Sequence, residues 1–506
     1  MPEVTTLDKA CQHARQTALL QSTLALLEWD QHTKMPEQAA AYRADQITAL
    51  ATQVHARRTD EQFGQWLCEL ASDAAPANDD QTPTDQAATI AGLKRQFDRQ
   101  SKVPAKLAAA LARSASEGQT AWVTARQNDD FAFFLPYLKT IVNLKREEAA
   151  AVGFQDHPYD ALIDEYEPGM STSQVSSVVK NLSEALVPLV AAIADSPYKP
   201  DDSILRRDFP VEVQEVFAKE VSAAIGFDYQ RGRLDVTAHP FCTELGPHDC
   251  RLTTRYDRNF FNSAFFGTLH EAGHGIYEQG LQNAEYGLPL GRYCSLGIHE
   301  SQSRLWENLV GRSRSFWKHY FPIAQQYFSQ SLEDVNEIEF YEAVNCVRPS
   351  LIRVEADEAT YNLHIAIRFE LERDLISDNL PLEDLPAAWN QKYQQYLGVA
   401  SETDANGVLQ DVHWSAGLFG YFPTYLLGNL YASQFFEAAQ RDLGELHSGF
   451  AKGHFDPLKT WLNQNIHGQG QRFNGPKLGK YVTNNELSHN QLLAHLKGKY
   501  EEIYRL

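Results

Sequence analysis

The chain has 506 residues, 43% of them hydrophobic, and a formal charge of −21 from 45 basic and 66 acidic side chains. That length can bury a large core and split into more than one lobe. The acidic balance speaks against nucleic-acid and anionic-membrane partners, and no apolar run of about eighteen residues predicts a membrane span.

The first residues, Met-Pro-Glu-Val-Thr-Thr-Leu-Asp-Lys, lack a basic region followed by an apolar one, so no secretory signal is expected. Residues 7–33 carry Leu7, Leu19, Leu20, Leu24, Leu27 and Trp29 at mostly helical spacing. Residues 37–57, 87–127 and 172–196 read as helices too. Proline-containing, acidic 72–86 predicts a surface loop, and Ser196-Pro197 to Asp202 a second break. Strand signal is scarce; the best candidate is Thr-rich 249–256 after Gly246-Pro247. Helical pattern resumes after 260 and continues almost to the end. The expected fold is mainly α with a small β-sheet. Segments 1–200 and 201–506 are expected to be two lobes of one catalytic unit spanning 1–506, because no long flexible linker divides them. The six cysteines (11, 68, 242, 250, 294, 346) are too sparse for a disulfide framework, which fits reduced thiols and a cytoplasmic location.

The chemistry concentrates in residues 268–274, Thr-Leu-His-Glu-Ala-Gly-His. His270 and His274, four apart, share one helix face. Two neutral imidazoles so placed can hold a Zn²⁺ at about 2.0–2.1 Å. Glu271 can take a proton from water without being a ligand. A helix is predicted over 261–280, in which Gly273 and Gly275 cost about 1 kcal/mol each relative to Ala. That cost makes sense if a second backbone or a substrate approaches closely. Short motifs also arise by chance on buried helices with two satisfied histidines. A third ligand is expected from the returning helix at 298–307, where Glu300 and His299 compete. Adjacent helical residues point about 100° apart, so only one of them can face the ion. Glu300 could instead be a surface carboxylate or a partner for Arg304.

The sequence resembles the carboxypeptidase Taq family of metallocarboxypeptidases. The resemblance rests on ordered motifs: His239-Pro240-Phe241, Asp249-x-Arg251-x-Thr253, the helix with Glu271, and His299-Glu300-Ser301-Gln302. It continues through Ile352-Arg353-x-x-Ala356-Asp357 and Gly407-x-x-Gln410-Asp411-x-His413-Trp414. Glu28-Trp29-Asp30-Gln31 with Met35-Pro36, and Asp164 to Gly169, carry it across the rest of the chain. The resemblance implies a two-lobed helical fold with a deep groove, a homodimer, and release of single amino acids from peptide C-termini with broad specificity. It also implies His270, His274 and Glu300 as zinc ligands and Glu271 as general base. Thermolysin-like enzymes commonly carry Asp four residues after the ligand Glu; here that residue is Arg304.

An enzyme acting on free C-termini needs a carboxylate clamp, for which Arg is suited. Arg353 is the first candidate, on a helix predicted over 350–374 with Asp357 one turn later to orient or neutralise it. Arg251 is the second, in the strand candidate beside which an extended peptide could pair. His413 with Tyr421 or Tyr425 is expected to stabilise the oxyanion. His239 is expected to line the groove or cap a turn, and Asp249, Gln410 and Asp411 to orient Arg or His side chains. The aromatic residues of 407–425 would otherwise be core. Cobalt or manganese would also fit an N/N/O donor set. Two other readings fit the motif: a zinc oligopeptidase or dipeptidyl carboxypeptidase, and a non-catalytic zinc scaffold that binds peptides. A structural zinc site, however, has no need of Glu271.

Overall fold

A computed structural model describes residues 4–73 and 82–506. Residues 74–81 of the expected surface loop lie outside the described residues. The architecture is mainly helical, with one three-stranded sheet.

The chain divides into two compact units. The first comprises Met1–Ser101, Asp201–Val344 and Phe435–Asn484; the second comprises Lys102–Pro200, Asn345–Gln434 and Asn485–Leu506. The expected break at 200/201 is therefore a unit boundary, but residues 1–101 group with 201–344 instead of forming a lobe with 102–200. Long-range contacts explain this grouping. Helix Thr6–Thr33 packs on the sheet, and Arg15 donates to the carbonyls of Ala284 (2.8 Å) and Tyr286 (3.1 Å).

Local chemistry accounts for most helix ends. Thr5 and Asp8 form a reciprocal capping box at the start of Thr6–Thr33. The helix expected over 87–127 is two helices, Asp85–Lys102 and Ala105–Asn128. Pro104 separates them, because proline disfavours helical backbone in the residue before it and lacks an N–H. Thr172–Asp195 is long and apolar enough to cross a membrane by length and composition, although no unbroken apolar run marks it. Val175, Val179, Leu182, Leu186 and Ile193 are buried inside the second unit, as on the inner face of a core helix.

The sheet belongs to the first unit. The central strand β3 (Cys250–Thr254) pairs in parallel with β1 (Gly232–Val236) and antiparallel with β2 (Cys242–Glu244). β3 falls within the predicted 249–256. The flanking strands escaped prediction because one is only three residues long and the other carries the Arg233–Asp235 ion pair mid-strand. The Thr253 N–H donates to the Phe241 carbonyl (2.9 Å), and the Leu245 N–H to that of Asp249 (2.8 Å). By antiparallel alternation, the backbone groups of Cys242 and Glu244 face away from β3, along an open edge. All six cysteines are free thiols.

Candidate metal centre

Helix Phe261–Gly280 carries His270, Glu271 and His274 and packs on β3 and β2. Phe265, Phe266, Leu269, Ile276 and Tyr277 are buried and fix its rotation. Gly273 and Gly275 are where neighbours come close. A Cβ on Gly273 would lie 2.6 Å from the Gln302 carbonyl oxygen and from the Ser303 Cα, and one on Gly275 2.6 Å from the Phe227 ring. The approaching backbone is helix Leu296–Arg304, capped by Ser295, whose Oγ accepts from the Ile298 N–H at 3.2 Å.

That approach brings Glu300 onto the two histidines. One donor atom from each of His270, His274 and Glu300 lies within 4.8 Å of the others. Glu300 Oε2 is 3.6 Å from His270 Nε2 and 3.4 Å from His274 Nε2. Bonds of about 2.0–2.1 Å in a tetrahedral site put ligand atoms about 3.3–3.4 Å apart, so the donors fit a small divalent cation. Both imidazoles are oriented by their other nitrogen. His270 Nδ1 donates to Glu307 Oε2 (2.9 Å) and His274 Nδ1 to the His299 carbonyl (3.1 Å), which leaves each Nε2 lone pair for an ion.

His299 and Glu300 are separated as their helical offset requires. His299 Nε2 bonds Glu278 Oε1 (2.8 Å) and its ring stacks on His274. Glu300 also makes the contact weighed against ligation: Arg304 Nε donates to its Oε1 (2.7 Å), leaving Oε2 for the cluster. Arg304 reaches Glu307 as well (3.2 Å). Glu307 has no counterpart among the expected site residues. It sits in a π-helical segment, Leu305–Val310, a distortion that often marks functional sites. Its place three residues after Arg304 and seven after Glu300, on one helix face, was the available signal.

Burial pushes the Glu300 carboxyl up, but Arg304 and the two histidines more than offset this and hold it well below the usual range. Glu271 is 6% exposed, and burial pushes it up to about 7, with His270 opposing and Glu300 and Glu307 adding to the rise. A buried carboxyl beside a divalent-cation site is placed to take a proton from water and return it.

The sequence profile of the carboxypeptidase Taq (M32) metallopeptidase family matches residues 9–500. Thermostable carboxypeptidase 1 of Thermus thermophilus is 48% identical, with 97% of each chain covered. Carboxypeptidase 1 of Bacillus subtilis is 39% identical, covering 96% of this chain and 95% of its own. The crystal structure of the M32 carboxypeptidase from Deinococcus radiodurans superposes with a TM-score of 0.95 at 40% identity, covering 99% and 100% of the two chains. The chain belongs to the carboxypeptidase Taq family. It is a metallocarboxypeptidase of mainly helical fold, and its family implies a divalent metal.

The other expected site residues of this metallocarboxypeptidase fall in two places. In the first unit, Arg251 is gripped by Asp249 through two bonds of 2.9 Å and lies over the Trp29 ring, 4.2 Å from its centroid. His239 is exposed, just ahead of β2. In the second unit, Arg353 is not on the helix predicted over 350–374. It occupies a single 3₁₀ turn, Arg353–Glu355, and the helix begins later, at Thr360–Ile376. Asp357 does not pair with Arg353: it accepts from the Ala359 and Thr360 N–H groups and Thr360 Oγ1, stopping the helix short of it. The partner of Arg353 is Asp411, whose Oδ1 accepts from Arg353 Nε (2.9 Å) and whose Oδ2 accepts from Arg368 Nε (2.7 Å). Tyr361 OH accepts from Arg353 Nη1 (3.2 Å). His413 Nε2 is 3.2 Å from Tyr425 OH, whereas Tyr421 packs edge-on against Tyr166. Burial pushes His413 down to about 3, with Asp411 opposing and both arginines adding, so its imidazole is neutral near pH 7.

Proposed function

We propose that this metallocarboxypeptidase releases single C-terminal residues from peptides, using a Zn²⁺ ion held by His270, His274 and Glu300. The observation that carries the reading is the convergence of those three donors beside the buried Glu271. The ion, when bound, supplies Lewis acidity and acidifies water. Glu271 takes the proton of the attacking water and returns it to the leaving amine. Arg353 binds the substrate's terminal carboxylate; its Asp411 and Tyr361 bonds hold the guanidinium flat for a bidentate contact. Arg251 is the second candidate; Asp249 holds its Nε–Nη2 edge as Asp411 holds that of Arg353. The Tyr425 hydroxyl, bonded to neutral His413, donates to the developing oxyanion, and this pairing favours it over Tyr421. An extended peptide backbone has donors and acceptors to pair with along the open edge of β2. Cobalt or manganese would occupy the same donors. A cytoplasmic homodimer is part of the proposal.

The test compares a peptide with a free C-terminus and its C-terminal amide, before and after chelation and zinc re-addition. Stepwise release of single residues from the free acid alone, lost on chelation and restored by zinc, is expected. Internal cleavage of the amide, or dipeptide release, would favour an oligopeptidase or dipeptidyl carboxypeptidase.

A further inference from the structure

Helix Thr360–Ile376 of the second unit grips the segment that carries His413 with two buried side chains. Arg368 and Glu372 lie four apart on one face of that helix, both out of contact with solvent. Arg368 takes the acceptors of the segment: its Nε donates to Asp411 Oδ2 (2.7 Å) and its Nη2 to Gln410 Oε1 (2.8 Å). Glu372 takes the donors. Its Oε1 accepts from Trp414 Nε1 (2.8 Å) and its Oε2 from the Gly420 N–H (3.0 Å). Oε2 also accepts from the hydroxyl of Tyr159, on helix Pro158–Tyr166. Glu372 takes no part in the chemistry proposed above.

Trp414 and Gly420 bracket a turn. Trp414 directly follows His413, and Gly420 directly precedes Tyr421 and leads into helix Pro423–Leu443, which bears Tyr425. Gly420 has φ +86°, and a Cβ there would lie 2.6 Å from the Leu162 carbonyl oxygen, so the turn rests on the main chain of helix Pro158–Tyr166. Inside the turn, the Leu418 N–H donates to the His413 carbonyl (2.9 Å) and the Gly417 N–H to that of Trp414 (3.1 Å). The His413 backbone is therefore tied into a turn whose two ends meet on one carboxyl group.

A carboxyl group suits this position because each of its two oxygens can accept more than one hydrogen bond. Burial pushes Glu372 up to about 7, with the Tyr159, Gly420 and Trp414 donors opposing. A proton on it would go to the Tyr159 oxygen, since neither Trp414 Nε1 nor the Gly420 N–H can accept. Both bonds to the turn therefore persist in either state.

We propose that Glu372 is a positioning residue for catalysis. By holding Trp414 and Gly420 it sets the His413 imidazole, and through the bond between His413 and Tyr425 it aims the Tyr425 hydroxyl at the developing oxyanion. The proposal rests on the oxyanion role given to Tyr425 above. Asp411 is held separately by Arg368, so the Arg353 clamp does not depend on Glu372. Its loss therefore falls on kcat rather than KM.

The test compares Glu372→Gln, Tyr159→Phe, Tyr425→Phe and the double variant Glu372→Gln/Tyr425→Phe on one peptide with a free C-terminus, well below the melting temperature of each. An amide offers one acceptor oxygen, so Glu372→Gln loses one of the two bonds to the turn at nearly unchanged side-chain size. Tyr159→Phe also removes a buried bond to Glu372 but leaves both turn bonds in place. Glu372→Gln is expected to lower kcat roughly 10–100-fold with KM little changed, and Tyr159→Phe to keep kcat. Tyr425→Phe is expected to lower kcat as well. Adding Glu372→Gln to it should lower kcat little further, because both act through one group. Full kcat in Glu372→Gln, an equal fall in Tyr159→Phe, or losses that multiply in the double variant overturns the proposal. Failure of the oxyanion reading looks different: Tyr425→Phe alone keeps full kcat, and the proposal falls with it.

Discussion

Glu307 accepts a hydrogen bond of 2.9 Å from His270 Nδ1 and is itself paired with Arg304 and Arg312. It fixes which imidazole nitrogen faces Glu300. Glu307→Ala removes that support and one counter-charge of two part-buried guanidinium groups, although Arg304 keeps its bond to Glu300. Metal affinity is expected to fall roughly 10–100-fold, read by chelator competition, with Glu300 and both histidines intact. Unchanged affinity would show that His270 needs no such partner.

Gly273 marks the closest approach to the backbone that carries Glu300. Gly273→Ala must displace Gln302 and Ser303, because the atoms met are main chain. A cost of about 1–3 kcal/mol is expected, with a lower melting temperature and weaker metal binding appearing together. Loss of stability with full metal affinity would mean that the ligand geometry tolerates the shift.

Arg353 and Arg251 are separated by kinetics. Arg353→Met is expected to lower kcat/KM on peptides with free C-termini roughly 10–100-fold, mainly through KM. Asp411 keeps its bond to Arg368 in that variant. The same substitution at Arg251 is expected to do less. The reverse order would move the clamp to β3.

In the second unit, Glu358 accepts from Lys499 Nζ (2.5 Å) and bonds His495 Nε2 (2.7 Å), all but out of contact with solvent. Burial pushes its carboxyl up, but Lys499 and His495 more than offset this and hold it well below its ordinary 4.5. A depressed folded-state pKa gives stability that is complete above about pH 4.5 and lost as pH falls toward the folded value. Lys499→Met is expected to cost about 3–5 kcal/mol at neutral pH by stranding the carboxylate. The loss should shrink at pH 4, where the stranded Glu358 of the variant takes up a proton while the wild-type carboxylate stays ionised beside Lys499. Urea unfolding at pH 7 and pH 4 measures both.

What the sequence made legible follows from the range of each interaction. Helix Phe261–Gly280 and its ligand pair depend on residues within one turn of each other, and their spacing is visible in the letters. The meeting of Glu300 with the two histidines was legible from loop length and a short returning helix. Asp411 was expected to orient an Arg or His, but its pairing with Arg353 was not assigned, because the two are 58 residues apart and periodicity suggested a neighbour, Asp357, that proved to be a helix stop. The π-helical segment that carries Glu307 has no pattern of its own at one turn's length. β1 and β2 are held by partners in β3 rather than by their own propensity, which is how short strands generally arise.

In the proposed mechanism Glu271 moves the proton at a metal site built from His270, His274 and Glu300. The most direct test is Glu271→Gln, with bound zinc and the rate of C-terminal residue release measured on the same sample. A full complement of zinc with release slowed by about 10³-fold or more is expected. Near-normal release from the zinc-loaded variant would contradict the account.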